Sequence, residues 1–167
     1  APSRSYLKMA EALEVLKIKG RRDERWLELG AAPGGTCCCL LQHFGRVIGL
    51  DPAAMDARVL AHSSFTYLPK TLQKMEAKEL QELKIHWISC DVNLNPLQVI
   101  KELNRLIDLK VMPLQGLLFT VKMVKLSHVK LVPHYQKLLA KLGFKNIQKY
   151  QFPSHRREFL LFADQRS

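Results

Sequence analysis

The 167-residue sequence predicts an α/β domain, a doubly wound and mostly parallel sheet that ends in an antiparallel C-terminal hairpin. Three observations carry that prediction. Trp26-Leu27-Glu28-Leu29 is a short apolar run that breaks at Gly30-Ala31-Ala32-Pro33-Gly34-Gly35 and passes at once into the apolar segment Cys37 to Phe44, which gives the order strand, tight loop, helix. Beyond it, apolar runs suited to buried strands alternate with segments whose Leu, Ile and Val recur at helical spacing. Last, Phe144 to Phe152, Pro153 to Arg157 and Glu158 to Ala163 read as strand, turn and strand.

Taken in order, residues 3 to 19 place Leu7, Ala10, Leu13, Leu16 and Ile18 near helical spacing, with Ser3 or Ser5 as cap, so an N-terminal helix lies on the core. Gly20 to Arg25 is a polar turn into the first strand. Arg46-Val47-Ile48-Gly49-Leu50 is a second buried strand, closed by Asp51. Pro52 starts a helix over Ala53 to Leu60, and Phe65 to Leu68 is a short strand. Lys70 to Leu83 reads as a helix striped by Leu72, Met75, Leu80 and Leu83. Ile85 to Cys90 is a strand ending at Asp91; a loop to Pro96 follows, then a helix from Leu97 to Leu109 burying Val99, Ile100, Leu103, Leu106 and Ile107. Gly116 to Lys122 is a buried strand. After a loop through Val132-Pro133, a helix from His134 to Leu142 stops at Gly143.

The length suits one domain over residues 1–167, and no apolar run approaches the roughly 20 residues of a membrane span. The amphipathic start lacks the apolar stretch of a secretory signal, so the expected location is cytoplasmic. Net charge is +11, and the excess is uneven: from Lys122 to Ser167 ten Lys and Arg face two acids. A basic face of that kind suits a polyanion, because each neutralised phosphate releases counterions. Cys37, Cys38 and Cys39 point in directions about 100° apart on a helix and cannot share one metal, so they read as small buried hydrophobes. The six histidines show no ligand spacing, and no metal is assigned.

Glycines at Gly30, Gly34 and Gly35 let a ligand approach bare main chain, which makes the loop a small-molecule site. Asp51 stands sixteen residues beyond Gly35, where nucleotide-binding α/β folds place an acid for ribose hydroxyls. The spacing is not G-x-G-x-x-G, and Pro33 disagrees with a nicotinamide oxidoreductase.

Leu27-Glu28-Leu29-Gly30-Ala31-Ala32-Pro33-Gly34-Gly35-Thr36 resembles the first methyltransferase motif of the FtsJ-like ribose 2′-O-methyltransferases, D-L-G-A-x-P-G-G. Further matches span Pro2 to Ala163. Ser3-Arg4-x-x-x-Lys8-x-x-Glu11 is similar to the family's S-R-x-x-x-K-x-x-E opening; Cys90-Asp91 and Val121-Lys122 end strands where the family does; Arg157-Glu158-Phe159 matches its R-E-aromatic strand start. Cys90-Asp91-Val92-x-x-x-Pro96 looks like the RlmM-type branch, whose members modify a cytidine ribose in large-subunit ribosomal RNA. The resemblance implies a Rossmann-like methyltransferase fold and a Lys8, Asp91, Lys122, Glu158 tetrad. It also implies S-adenosylmethionine held by Ser3, Gly30, Ala32, Pro33, Gly34, Gly35, Asp51 and Asp91, with Asp91 in a second role near the methionine amino group. The family's adenine-binding acid is replaced by Thr71, with Glu76 or a main-chain carbonyl as substitutes.

The implied chemistry is attack by a ribose 2′-hydroxyl on a sulfonium methyl, for which the protein supplies alignment and a proton acceptor. Lys122 is the candidate base. A free lysine has a pKa of about 10.4; acting as base requires about 7.5, which burial and Lys8 favour and Asp91 and Glu158 oppose. As an ammonium, Lys122 would instead orient the hydroxyl. The expected partner is RNA, ribosomal by resemblance, on the basic C-terminal face, with targeting by a partner protein or by an N-terminal RNA-recognition region of a longer protein. The alternative is a catalytically inactive RNA-binding scaffold on the same fold.

Overall fold

The computed structural model describes residues 3–123 and 125–166; Ala1, Pro2, Val124 and Ser167, which fall within the expected domain, lie outside the described residues. Seven strands form one sheet, β1 (Arg25–Leu29), β2 (Arg46–Leu50), β3 (Phe65–Leu68), β4 (Trp87–Cys90), β5 (Gly116–Lys122), β6 (Ile147–Tyr150) and β7 (Glu158–Asp164). Their order is β3-β2-β1-β4-β5-β7-β6. The first five run parallel, and β7 enters antiparallel between β5 and β6. The doubly wound expectation therefore holds, mixed edge included.

Helices cover both faces because the parallel strands are apolar on both sides. On one face α1 (Arg4–Val15) and α2 (Gly35–Leu40) pack over Trp26, Phe44 and Trp87, where the two indoles stack at 5.5 Å between centroids. The opposite face holds α4 (Ala77–Glu82), α5 (Pro96–Leu106) and α6 (Val132–Lys141) over Leu27, Ile88, Leu117 and Leu161. The chain runs outward from β1 through β2 to β3 and then crosses back to β4 on the other side of β1, so the carboxyl ends of β1 and β4 open a crevice, the usual ligand position in such sheets.

Several local expectations are corrected. The N-terminal helix ends at Val15 rather than 19, Ser3 is its cap, accepting from the Tyr6 N–H, and Leu7 is exposed on it instead of buried. The helix after Gly35 stops at Leu40, and of its three cysteines Cys38 is exposed, as adjacent helical positions require. Ala53 to Leu60 shrinks to α3 (Ala57–Leu60), because Asp51 accepts from the Ala53 N–H and the Tyr67 hydroxyl donates to the Ala53 carbonyl, which holds that segment as a turn. Lys70 to Leu83 is broken into a 3-10 turn at Leu72–Lys74 and α4, with Met75 extended between them. Arg105 donates to the carbonyls of Leu72, Gln73 and Met75 and holds them along this broken path. Pro96 sits in the first turn of α5 behind an Asn95 cap, and the helix ends at Leu106, three residues short of the expected end. A 3-10 segment, Leu126–Leu131, fills part of the loop expected before α6, and α6 itself begins at Val132. The penultimate strand shortens to Ile147–Tyr150.

Candidate active site

The site grows from the carboxyl edge of the sheet. Gly30 ends β1 at φ +83°, and a Cβ there would come within 2.3 Å of the Asp91 carbonyl, so only glycine lets the loop pass the end of β4. Gly34 starts α2 at φ +124°. Gly35 presses on α1, where a Cβ would meet the Ser3 and Ser5 hydroxyls at 2.0 and 2.2 Å. Between these lies a cleft of about 540 Å³, floored by Leu50, Leu72, Val92 and Leu94 and bordered by Gly30, Ala32, Pro33, Asp51, Asp91 and Lys122. That volume is in the range of small-molecule sites. Ser5 lines the cleft, whereas Ser3, Gly34 and Gly35 stand behind its wall. The Asp51 carboxylate accepts from the Ala32 N–H at 2.9 Å and the Ala53 N–H at 2.8 Å. Each oxygen keeps a second lone pair for a ligand hydroxyl. Thr71 lines the cleft beyond β3, beside Lys70 and Gln73, while Glu76 caps α4 and does not line it.

Beside the cleft, which Asp91 and Lys122 line and Lys8 and Glu158 do not, the fold brings four charged side chains together from separate elements. Lys122 and Glu158 are register partners on β5 and β7, Asp91 follows β4 next door, and Lys8 reaches down from α1. Lys8 Nζ lies 3.3 Å from Asp91 Oδ2 and contacts Glu158 Oε1 directly. Lys122 Nζ lies 3.2 Å from Asp91 Oδ1 and donates to Asn93 Oδ1 at 3.0 Å. The two lysines differ in access: Lys8 keeps 14% of its side-chain surface exposed and Lys122 43%. Burial opposes the Lys8 ammonium, but the hydrogen bond to Glu158 and the charge of Asp91 outweigh it and raise its pKa. Burial likewise pushes Asp91 up, and Lys8 and Lys122 together hold it below its ordinary value.

Two residues at this site were missed in the sequence. Glu28 is 2% exposed on β1, and burial pushes its carboxyl up to about 8, against the hydrogen bond from Ser89. Strand alternation puts Glu28 on the Trp26 face, opposite Ser89 in register. There the Ser89 hydroxyl donates to Glu28 and accepts from the Trp26 indole N–H at 2.6 Å. The only hint is that Trp26-x-Glu28 and Trp87-x-Ser89 repeat a polar position two residues after a tryptophan. His155 is 5% exposed against the Phe152 ring, and burial lowers its pKa despite the nearby Glu158 charge. Both line a small cavity of about 30 Å³ beneath Lys8 and Asp91, large enough for a water.

Solved structures that share this strand arrangement include Rossmann-like methyltransferases, and that is the class of fold this chain has. Within it, the chain belongs to the FtsJ-like methyltransferase family, which it matches over residues 1–154. A curated relative, the ribosomal RNA large subunit methyltransferase M of Pseudoalteromonas atlantica, is 31% identical over 107 residues, covering 60% of this chain and 29% of the relative. The chain thus spans less than a third of the length of the curated relatives it matches. Among solved structures, a Streptococcus thermophilus protein provisionally described as a hemolysin superposes with a TM-score of 0.78 at 18% identity, covering 99% of this chain and 67% of that one. A Burkholderia thailandensis 1,6-didemethyltoxoflavin-N1-methyltransferase, solved with S-adenosylhomocysteine, superposes with a TM-score of 0.67 at 12% identity, covering 98% of this chain and 79% of that one. Identities this low speak for the fold alone.

Proposed function

We propose that this chain is the catalytic domain of an S-adenosylmethionine-dependent RNA ribose 2′-O-methyltransferase acting on ribosomal RNA. The observation that carries the reading is the Lys8, Asp91, Lys122, Glu158 cluster beside a nucleoside-sized cleft behind the Gly30 to Gly35 loop. The curated relatives' ribosomal RNA methyltransferase names and the bound S-adenosylhomocysteine of the Burkholderia enzyme point the same way. The donor set fits the cofactor: Asp51 has lone pairs for two ribose hydroxyls, the apolar floor suits a nucleoside, and Asp91 and Glu28 offer negative or hydrogen-bonding groups toward an amino group. When bound, S-adenosylmethionine supplies an electrophilic methyl on sulfur.

In this reading Lys122 is the group that meets the substrate, because it is the half-exposed member of the four. It donates to Asn93 and pairs with the Asp91 carboxylate, which supports orienting the incoming 2′-oxygen over taking its proton early. Lys8 holds the Asp91 and Glu158 carboxylates side by side, so neither turns away when RNA enters. The exposed Lys125, Lys149, Arg156 and Arg157 flank β5 to β7 and supply the phosphate contacts.

The test is transfer of labelled methyl from S-adenosylmethionine to ribosomal RNA, followed by nuclease digestion and mass analysis of the nucleosides. A 2′-O-methylated nucleoside that disappears in Lys122→Met supports the proposal. Base methylation, or RNA binding without any heat from S-adenosylmethionine, refutes it, the latter in favour of a scaffold role.

A further inference from the structure

We infer that Arg105 is the positioning residue for the adenine end of the cofactor cleft and sets cofactor affinity through the main chain of Leu72 to Met75. The inference rests on reading the cleft as an S-adenosylmethionine site. In that reading the methyl faces Lys122 and the ribose meets Asp51, so the base extends past β2 toward the wall formed by Lys70, Thr71, Leu72 and Gln73 after β3. This wall belongs to no long helix or strand. It is an extended stretch and a three-residue 3-10 turn, Leu72–Lys74, in which the Leu72 carbonyl accepts from the Met75 N–H while those of Gln73 and Met75 have no backbone partner among the described residues.

The Arg105 guanidinium supplies those partners. Nη1 donates to the Met75 carbonyl at 2.7 Å, and Nη2 to the carbonyls of Leu72 and Gln73 at 3.1 and 3.3 Å. Its Nε donates to Glu102 at 2.7 Å, which fixes the plane of the fork. The base of the fork is rigid because Val99, Ile100, Leu103 and Leu106 bury the inner face of α5. Leu72 and Met75, 3% and 1% exposed, plug the core on either side of the turn. Arg105 thus grips the wall from behind while the front of residues 70–73 borders the cleft. A lysine, with its compact point charge, cannot span three carbonyls in one plane.

The same wall also points to an uncharged base as its occupant. Lys70, the cation on it, is held by both oxygens of Glu79 at 3.0 and 2.7 Å. That pairing neutralises the charge that would otherwise favour a phosphate here, so this end suits a nucleoside over a phosphorylated nucleotide.

The test compares wild type, Arg105→Lys and Arg105→Met by calorimetry with S-adenosylmethionine and with 5′-methylthioadenosine, which keeps the adenine end and lacks the amino acid. Both variants should weaken both ligands by a similar factor of about tenfold, the scale of one lost charge-assisted hydrogen bond. In methyl transfer KM for the cofactor should rise with kcat unchanged, and amide exchange should speed up at residues 71–76. Wild-type affinity in Arg105→Met alongside faster exchange overturns the inference and leaves Arg105 a purely structural residue. Wild-type affinity in Arg105→Lys overturns the fork argument and serves as the readout should the methionine variant fail to fold. A loss in kcat at unchanged KM also overturns it. If the wild type itself gives no heat with either ligand, the methyl-transfer reading fails first, and the adenine assignment falls with it.

Discussion

Replacing Glu28 by Gln should make the protein more stable at pH 8 and remove the fall in stability with rising pH that Glu28 imposes. Glu28 is fully buried and its carboxyl is pushed from 4.5 up to about 8, with burial the dominant cause. Between those values the folded protein keeps a proton that the unfolded chain has lost. Stability therefore falls as pH rises, by up to about 1.4 kcal/mol per pH unit, on the order of 5 kcal/mol across the whole window. The contribution is fully present below pH 4.5 and gone above about 8. Glutamine keeps an acceptor for the Ser89 hydroxyl and has no proton to lose. The assay is urea unfolding of wild type and Glu28→Gln at steps from about pH 5 to 9, read as the difference between them. Taking the difference matters because His155, whose pKa is lowered chiefly by burial, acts in the opposite sense: neutral in the fold, it loses stability as pH falls through the unfolded histidine value. That effect is common to both proteins and cancels. A difference that stays flat over this range would falsify the picture of Glu28 as a neutral buried acid.

Three further outcomes follow from the same geometry. Lys8→Met leaves the buried Glu158 carboxylate without its cation and Asp91 with Lys122 alone, and should cost about 3 kcal/mol in urea unfolding while carboxyl NMR shows Asp91 titrating higher than in wild type; an unchanged Asp91 titration contradicts the ion-pair account. Asp51→Asn replaces one of the two oxygens that accept from Ala32 and Ala53 by an NH₂, and should lower stability by about 1 kcal/mol and weaken S-adenosylmethionine about tenfold by calorimetry; equal affinity rules out a ribose role. Trp26→Phe deletes the donor to the Ser89 hydroxyl inside the packed aromatic cluster and should lose about 2 kcal/mol, with the pH dependence attributed to Glu28 shifting alongside; an unaltered pH profile argues that Ser89 and Glu28 are uncoupled.

The strands were legible where apolar runs were bounded by turn residues: Phe65–Leu68 and Gly116–Lys122 match the expected limits residue for residue. Their limits are local matters of burial and punctuation. The failures lie where a distant side chain decides the backbone. Lys70 to Leu83 has helical spacing, yet the guanidinium of Arg105, some thirty residues on, holds the carbonyls of Leu72, Gln73 and Met75 along a broken path. Ala53 to Leu60 likewise loses its first turn to Asp51 and to the Tyr67 hydroxyl. At the site, Lys8, Asp91, Lys122 and Glu158 were singled out by resemblance, and the fold links them in a chain of ion pairs from Glu158 through Lys8 and Asp91 to Lys122. Glu28 escaped because an acid in a strand ordinarily faces water, and only the register against Ser89 under α1 and α2 shows that this one does not. His155 escaped because the α1 residues that close its cavity, Lys8, Met9 and Ala12, come from the far end of the chain.

The insertion of β7 between β5 and β6 has a consequence for synthesis. Glu158, the anchor of Lys8, sits at the start of that strand, and Arg166 at its far side donates to the carbonyls of Leu16 and Lys17. As the chain leaves the ribosome, the first helix has none of these partners and the buried ammonium of Lys8 has no Glu158 beside it. The Lys8 ammonium gains Glu158 when β7 pairs with β5. Only then does the charge cluster close, so a nascent or truncated chain lacking β7 lacks the assembled cluster as well.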